Sequence, residues 1–240
     1  LLVWPRSCCS RAHPMAPIHD AAFNGDVETL RRLLAEGVSP DATDDNEYRG
    51  RTPLHNLCFL HEHYHATDRR AACFKLLRDA GANLEATNSS SWTPLHCAVC
   101  IGSVGLVSLL VQSGVNVDAA TTGGTTALHF AVRMGPNNCL EVLLAAGASL
   151  NLREGHGLTA FSLALLSRTN RWMWPLFLRA GAEIPTDNTE PYIVRVKNAG
   201  GFQRYAQAHL ARITSILETP LLPPELVRKV LEYWLHAGYY

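Results

Sequence analysis

The sequence predicts an all-α solenoid: a stack of helix–turn–helix units followed by a helical extension. Three observations predict it. TPLH begins at Thr52 and Thr93, TALH at Thr126 and a related TAFS at Thr159, the last three starts lying 33 residues apart. Paired leucines stand in the second half of the first four units: Leu33 and Leu34, Leu76 and Leu77, Leu109 and Leu110, Leu143 and Leu144. A glycine then closes each unit, at Gly37, Gly81, Gly114, Gly147 and Gly181. A period in this range marks units that cannot bury an apolar face alone, so stacking must make the core.

Each position has a local reason. Thr52, Thr93 and Thr126 can N-cap the first helix of their units, the side-chain oxygen accepting an orphan amide. Pro53 and Pro94 take the first helical position, where no N–H is missed. Leu54, Leu95 and Leu128 point into the stack, and the closing glycines supply the left-handed residue that ends the second helix.

APIHDAAFNGDVETLRRLLAEGVSPDA, TPLHNLC…FKLLRDAGANLEA, TPLHCAVCIGSVGLVSLLVQSGVNVDA and TALHFAVRMGPNNCLEVLLAAGASLNL resemble ankyrin repeats, and TAFSLALLSRTNRWMWPLFLRAGAEI is a weaker fifth. The resemblance covers residues 15–185, with repeats at about 16–48, 49–89, 90–122, 123–155 and 156–185. It implies short β-hairpin fingers between the helix pairs. It also implies that His55, His96 and His129 hydrogen-bond between neighbouring repeats. Residues 1–14 are expected to lie outside the array, with Met15 a candidate start, and 186–240 to form a C-terminal helical cap or extension.

Departures from the pattern are informative. Ala16 replaces the capping threonine of the first repeat, and the fifth has Ala160 and Ser162 where Pro and His stand elsewhere. With Trp172 and Trp174 in its second half, the fifth is expected to pack on the C-terminal extension. From Ala16 to Thr52 is 36 residues, the excess falling in the acidic finger DATDDNEYRG. From Thr52 to Gly81 is 29 positions against 21 in the neighbouring repeats, so eight residues are inserted around FLHEHYHATDRR.

That insertion contains H-E-x-x-H, with His61 and His65 spaced to share a Zn²⁺ and Glu62 placed as a general base. The motif falls between the two helices of a repeat, without a third ligand motif. It is therefore expected to be a solvated insertion, a zinc hydrolase at His61, Glu62 and His65 remaining a remote alternative and a site through His61, His63 and His65 another. Cys97 and Cys100 form C-x-x-C inside a first helix with no partner motif; Cys73 and Cys139, at equivalent positions, read as small apolar packing. TTGGTT at 121–126 lacks the lysine of a phosphate loop. No catalytic, metal or cofactor site is expected.

Composition narrows the classes further. Twenty-one basic and twenty-one acidic residues cancel, so no net field invites nucleic acid or anionic lipid. No run of about 18 apolar residues is present to span a membrane. Seven scattered cysteines do not read as a disulfide framework. The expectation is a monomeric intracellular protein, cytoplasmic or nuclear, that binds an unidentified protein partner.

In ankyrin arrays partners lie across the fingers and the exposed side of the first helices. The residues just before the TPLH-like motifs form such a row: Arg51, Trp92, Thr125 and Leu158. Tyr48, Arg49, Ser91, Arg153 and His156 adjoin it. Trp, Tyr and Arg are the types enriched at interface hot spots, and Trp92 leads because an aromatic on a finger has little core to enter. Beyond 185, GGFQRYAQAHLARITSIL places Phe202, Tyr205, Leu210, Ile213 and Leu217 near one helical face. LPPELVRKVLEYW is similar to the first helix of an F-box and, less closely, to part of a SOCS box; ARITSIL lacks the cysteine a SOCS box would want. That likeness implies the alternative role of a ubiquitin-ligase substrate adaptor recruited through residues 222–235.

Overall fold

In the computed structural model the structure describes residues 16–44, 50–59, 67–135, 138–186 and 188–217. Their regular structure is almost all helix, and the chain falls into two compact units, 1–122 and 123–240. HEHYH, the finger positions Tyr48 and Arg49, and the adaptor-like segment 222–235 lie outside the described residues.

The first unit holds three helix pairs: α1 (Pro17–Asn24) with α2 (Val27–Ala35), α3 (Pro53–Cys58) with α4 (Thr67–Asp79), and α5 (Pro94–Ile101) with α6 (Val104–Gln112). First helices pack on first helices, α1 on α3 and α3 on α5, while α2, α4 and α6 form a second row. Ile18, Leu30, Leu54, Leu57, Phe74, Leu77, Leu95 and Leu110 fill the space between the rows and are fully or almost fully buried. Of each leucine pair here, Leu33, Leu77 and Leu110 enter the core while Leu34, Leu76 and Leu109 are half-covered.

The threonines open their helices with a capping box whose third residue is the histidine. Histidine Nδ1 accepts the threonine backbone N–H at 3.2, 3.1 and 3.3 Å for the Thr52–His55, Thr93–His96 and Thr126–His129 pairs. In the fifth repeat, where serine replaces the histidine, Thr159 Oγ1 accepts the N–H of Ser162 directly at 3.1 Å.

The inserted residues lengthen α4 at its start. Eleven positions before the closing glycine stand Asp26 and Ser103, the N-caps of α2 and α6; the equivalent residue of the second repeat, Arg70, is instead inside α4. Arg70 is fully buried and donates to the carbonyl of Leu57 at 3.2 Å, at the negative end of α3, and to Ser103 Oγ at 3.4 Å. It joins the second repeat to the third.

The second unit contains α7 (Ala127–Met134) with α8 (Cys139–Ala145), then α9 (Ala160–Leu166), a 3-10 helix (Arg168–Met173) and α10 (Trp174–Arg179). Trp174 is buried and its Nε1 donates to Ala164 O at 2.9 Å, so it holds the irregular second half of the fifth repeat against α9. Trp172 remains 38% exposed. The helices α11 (Pro191–Asn198) and α12 (Phe202–Leu217) come next. Although 186–240 lack the TPLH pattern, α11 and α12 form one more helix–turn–helix, and α12 packs on α10 as α10 packs on α8. Ile193 and Val196 are buried, and Tyr192 meets Trp174 at 6.2 Å between ring centroids.

Candidate protein interface

Among the described residues the fingers show isolated bridges, Asp44 with Arg51 and Arg153 with Thr159, rather than extended strands. One polar residue starts each turn: Asp44, Asn88 and Glu154 donate their backbone N–H to the carbonyls of Arg51, Trp92 and Leu158. Asn88 adds its side chain, Oδ1 accepting the N–H groups of Ser90 at 2.9 Å and Trp92 at 3.0 Å. The next-to-last turn residue is left-handed in every finger. Gly50, Gly124 and Gly157 fill it in three and Ser91, at φ 58°, in the other.

Three of these fingers are also tied to the helices of the preceding repeat. His19 Nε2 lies 3.1 Å from Arg51 O, His55 Nε2 2.9 Å from Trp92 O, and His129 Nε2 3.1 Å from Leu158 O. A carbonyl can only accept, so Nε2 carries the proton; for His55 and His129, Nδ1 is then free to accept from threonine. Burial holds His55 in this neutral state, lowering its pKa to about 4 against the raising effect of the Trp92 carbonyl. His129 is lowered in the same way.

In the first unit, the guanidinium of Arg51 stacks on the Phe59 ring, 4.0 Å from its centroid. Trp92 is half-buried, its ring 6.1 Å from that of His96 in its own repeat. The indole thus has more to cover it than the expectation for a finger aromatic allowed. Ser89 and Ser90 are exposed at the tip and Ser91 half-covered beside Trp92.

In the second unit, Arg153 and His156 are exposed and Leu158 is half-covered. Thr125 is only 8% exposed, so its side chain is a poor contact for a partner. Glu154 turns inward to pair with Arg133 of α7, although the neighbouring finger positions face out. Gly155 N–H donates to Gly123 O at 2.7 Å, and a Cβ on Gly124 would stand 3.3 Å from Arg153 O, so these two finger tips touch through bare backbone.

Residues not singled out in the sequence prove important: Phe59 beneath Arg51, Asn88 at the root of a finger, and Arg70 in the core. Asn88 had a signal, since a polar residue recurs at the start of each turn. Phe59 and Arg70 had none short of knowing which helix faces meet.

Three buried thiols are held in the unreactive protonated form. Burial pushes Cys58 up to about 12 and Cys73 to about 11, and Cys97 well above its ordinary value. Among the described residues no three His, Cys, Asp or Glu side chains come together to hold a metal ion, and no helix is long and apolar enough to cross a membrane.

Two family models match the chain: ankyrin repeats (many copies) over residues 18–68 and ankyrin repeats (3 copies) over 63–154. Together they cover more than half of its length. Among curated relatives it is similar to inversin of Danio rerio, 37% identical over 94 residues, which are 39% of this chain and 8% of that protein. It is similar to the RelA-associated inhibitor of Mus musculus, 30% identical over 103 residues, 42% of this chain and 11% of that protein. Neurogenic locus notch homolog protein 4 of Homo sapiens is 33% identical over 107 residues, 43% and 5% of the two. The matched stretch is thus about a tenth or less of each relative.

Proposed function

The chain belongs to the ankyrin repeat family, whose repeats generally mediate protein–protein interaction, and on that premise we propose that it is a non-catalytic scaffold that binds a partner protein. The binding surface is the set of hairpin fingers with the adjoining ends of the first helices, Arg51, Ser91 and Trp92 in the first unit and Arg153, His156 and Leu158 in the second. One observation carries this reading. The backbone under Arg51, Trp92 and Leu158 is bonded to a buried histidine of the preceding repeat, so these side chains are held on fixed main chain. Ordering is then complete before binding, which reduces its entropic cost. A mouse relative named as an inhibitor associated with RelA is in keeping with such a role. Five free cysteines among the described residues suit a reducing, intracellular setting. We assign α11 and α12 the role of covering the fifth repeat's apolar end.

The test is affinity purification from cells of the whole chain beside two finger variants, Arg51→Glu with Trp92→Ala and Arg153→Glu with His156→Glu, each checked for an unchanged melting transition. A partner lost with either folded variant supports the reading. Partners that ignore both sets would place binding elsewhere, and ligase subunits that depend on residues 222–235 would favour the adaptor role.

A further inference from the structure

Whole-chain neutrality conceals a segregation of charge. Residues 1–122 hold ten basic and thirteen acidic side chains, and residues 123–240 hold eleven and eight. The asymmetry is sharpest at residues 191–217, which contain Arg195, Lys197, Arg204 and Arg212 and neither Asp nor Glu. All four cations are exposed. Elsewhere several arginines meet carboxylates, Arg32 with Glu36, Arg78 with Asp79 and Arg171 with Glu190. Here Arg195 donates to Pro191 O at 3.2 Å, Lys197 to Thr186 O at 3.4 Å, and Arg204 folds over the turn at Gly200. Among the described residues none of the four meets a carboxylate. A carbonyl takes a hydrogen bond but leaves the positive charge uncancelled.

The helix α12 sorts its side chains by face. Phe202, Tyr205, Ala206, His209 and Leu210 are half-covered, with Tyr205 edge-on to Tyr192 of α11 at 5.6 Å and His209 stacked on Tyr205 at 5.8 Å. Gln203, Arg204, Gln207, Ala208, Ala211 and Arg212 form one exposed stripe. Nothing in that stripe is a large apolar group. It lacks the aromatic or aliphatic anchor on which a protein partner would build a hot spot. It also lacks the apolar face that would enter a bilayer, because that face is turned toward the protein. What it offers is guanidinium and amide groups on a regular helix with alanines between them. Arg204 and Arg212, eight residues apart, are separated by about 12 Å of helix, close to the width of about 12 Å of a duplex major groove.

We propose that the exposed face of α12, with Arg195 and Lys197 of α11, docks duplex nucleic acid through its phosphate backbone. This runs against the expectation drawn from overall charge and is independent of the finger surface. Four phosphate contacts predict a log–log salt slope of about −3 to −4.

The experiment titrates the whole chain into a fluorescently labelled DNA duplex of about 20 base pairs and follows anisotropy at about 50 and 200 mM KCl. The expected result is micromolar binding at the lower salt with that slope, weakened at least tenfold, on the order of two lost phosphate contacts, by Arg204→Glu with Arg212→Glu. Both residues are exposed, so the double variant should melt with the wild type, which confirms that the fold is intact. No anisotropy change up to about 100 μM protein at the lower salt, or equal binding by the double variant, overturns the proposal. Flotation with phosphatidylserine vesicles without duplex binding also overturns it and gives the face to lipid.

Discussion

The imidazole of His55 donates from Nε2 to the carbonyl of Trp92 at 2.9 Å while its Nδ1 accepts the backbone N–H of Thr52 at 3.2 Å. One ring therefore opens a helix in its own repeat and fixes a finger in the next. His55→Ala would leave the Thr52 amide and part of the Trp92 carbonyl's bonding unsatisfied in a buried place. The expected loss is about 2–3 kcal/mol, read as a lower urea midpoint with an unchanged slope. Faster hydrogen exchange of the finger amides of residues 88–92 should accompany it.

The same ring makes the fold sensitive to acid. Its folded pKa, about 4, lies below the ordinary 6.5, so the unfolded chain binds the proton more readily. Stability is complete above about pH 6.5 and falls as pH drops toward 4, by up to about 3 kcal/mol from His55 alone. His129, shifted in the same direction, adds to the loss. Urea titrations at pH 7.5, 6 and 5 should give successively lower midpoints; a flat profile would contradict the neutral, doubly bonded histidines.

Ser91 occupies a left-handed position that Gly50, Gly124 and Gly157 fill in the other fingers. A side chain there costs roughly 1–2 kcal/mol, partly offset by the extra freedom glycine has when unfolded. Ser91→Gly should raise stability by about 0.5–1 kcal/mol. Gly124→Ala should lower it by more than Ser91→Gly raises it, because the new Cβ is both strained and pressed to 3.3 Å from Arg153 O. Paired thermal melts of the two variants check the signs.

Trp174 anchors the fifth repeat through its indole N–H on Ala164 O. Phenylalanine keeps much of the apolar bulk and removes the donor. Trp174→Phe should cost about 1–3 kcal/mol and Trp174→Ala about 3–5 kcal/mol, and the difference between them, read by chemical denaturation, separates packing from the hydrogen bond.

Cys58, Cys73, Cys97 and Cys139 are buried, and the three whose titration is displaced are shifted upward. An alkylating reagent followed by peptide mapping should label these four only as the chain unfolds. Half-covered Cys100 should react earlier. Equal labelling of Cys97 and Cys100 in the native protein would mean that α5 opens locally.

The helix pairs were legible in the sequence because their causes are local. A threonine and a histidine three residues apart make a capping box, a proline fits the first helical turn, and the glycines at 37, 81, 114, 147 and 181 are left-handed as expected. The finger row was legible as a set of positions, since Arg51, Trp92 and Leu158 all carry the carbonyl that a histidine reaches. Which of those side chains face solvent was not. Thr125 and Trp92 are covered to different degrees by groups in other parts of the repeats, and Glu154 turns inward to Arg133, 21 residues earlier.

By itself, then, the sequence determined the repeat, its all-α class and the joints at which each unit turns, because capping, proline placement and positive φ are decided within a few residues. Only the tertiary structure decided that Arg70 enters the core, that Arg51 lies on Phe59, and that α11 and α12 continue the helix pairing without the repeat motif. Those outcomes depend on contacts between neighbouring units and on where an insertion shifts a helix start. Neither is encoded in the spacing of any one segment.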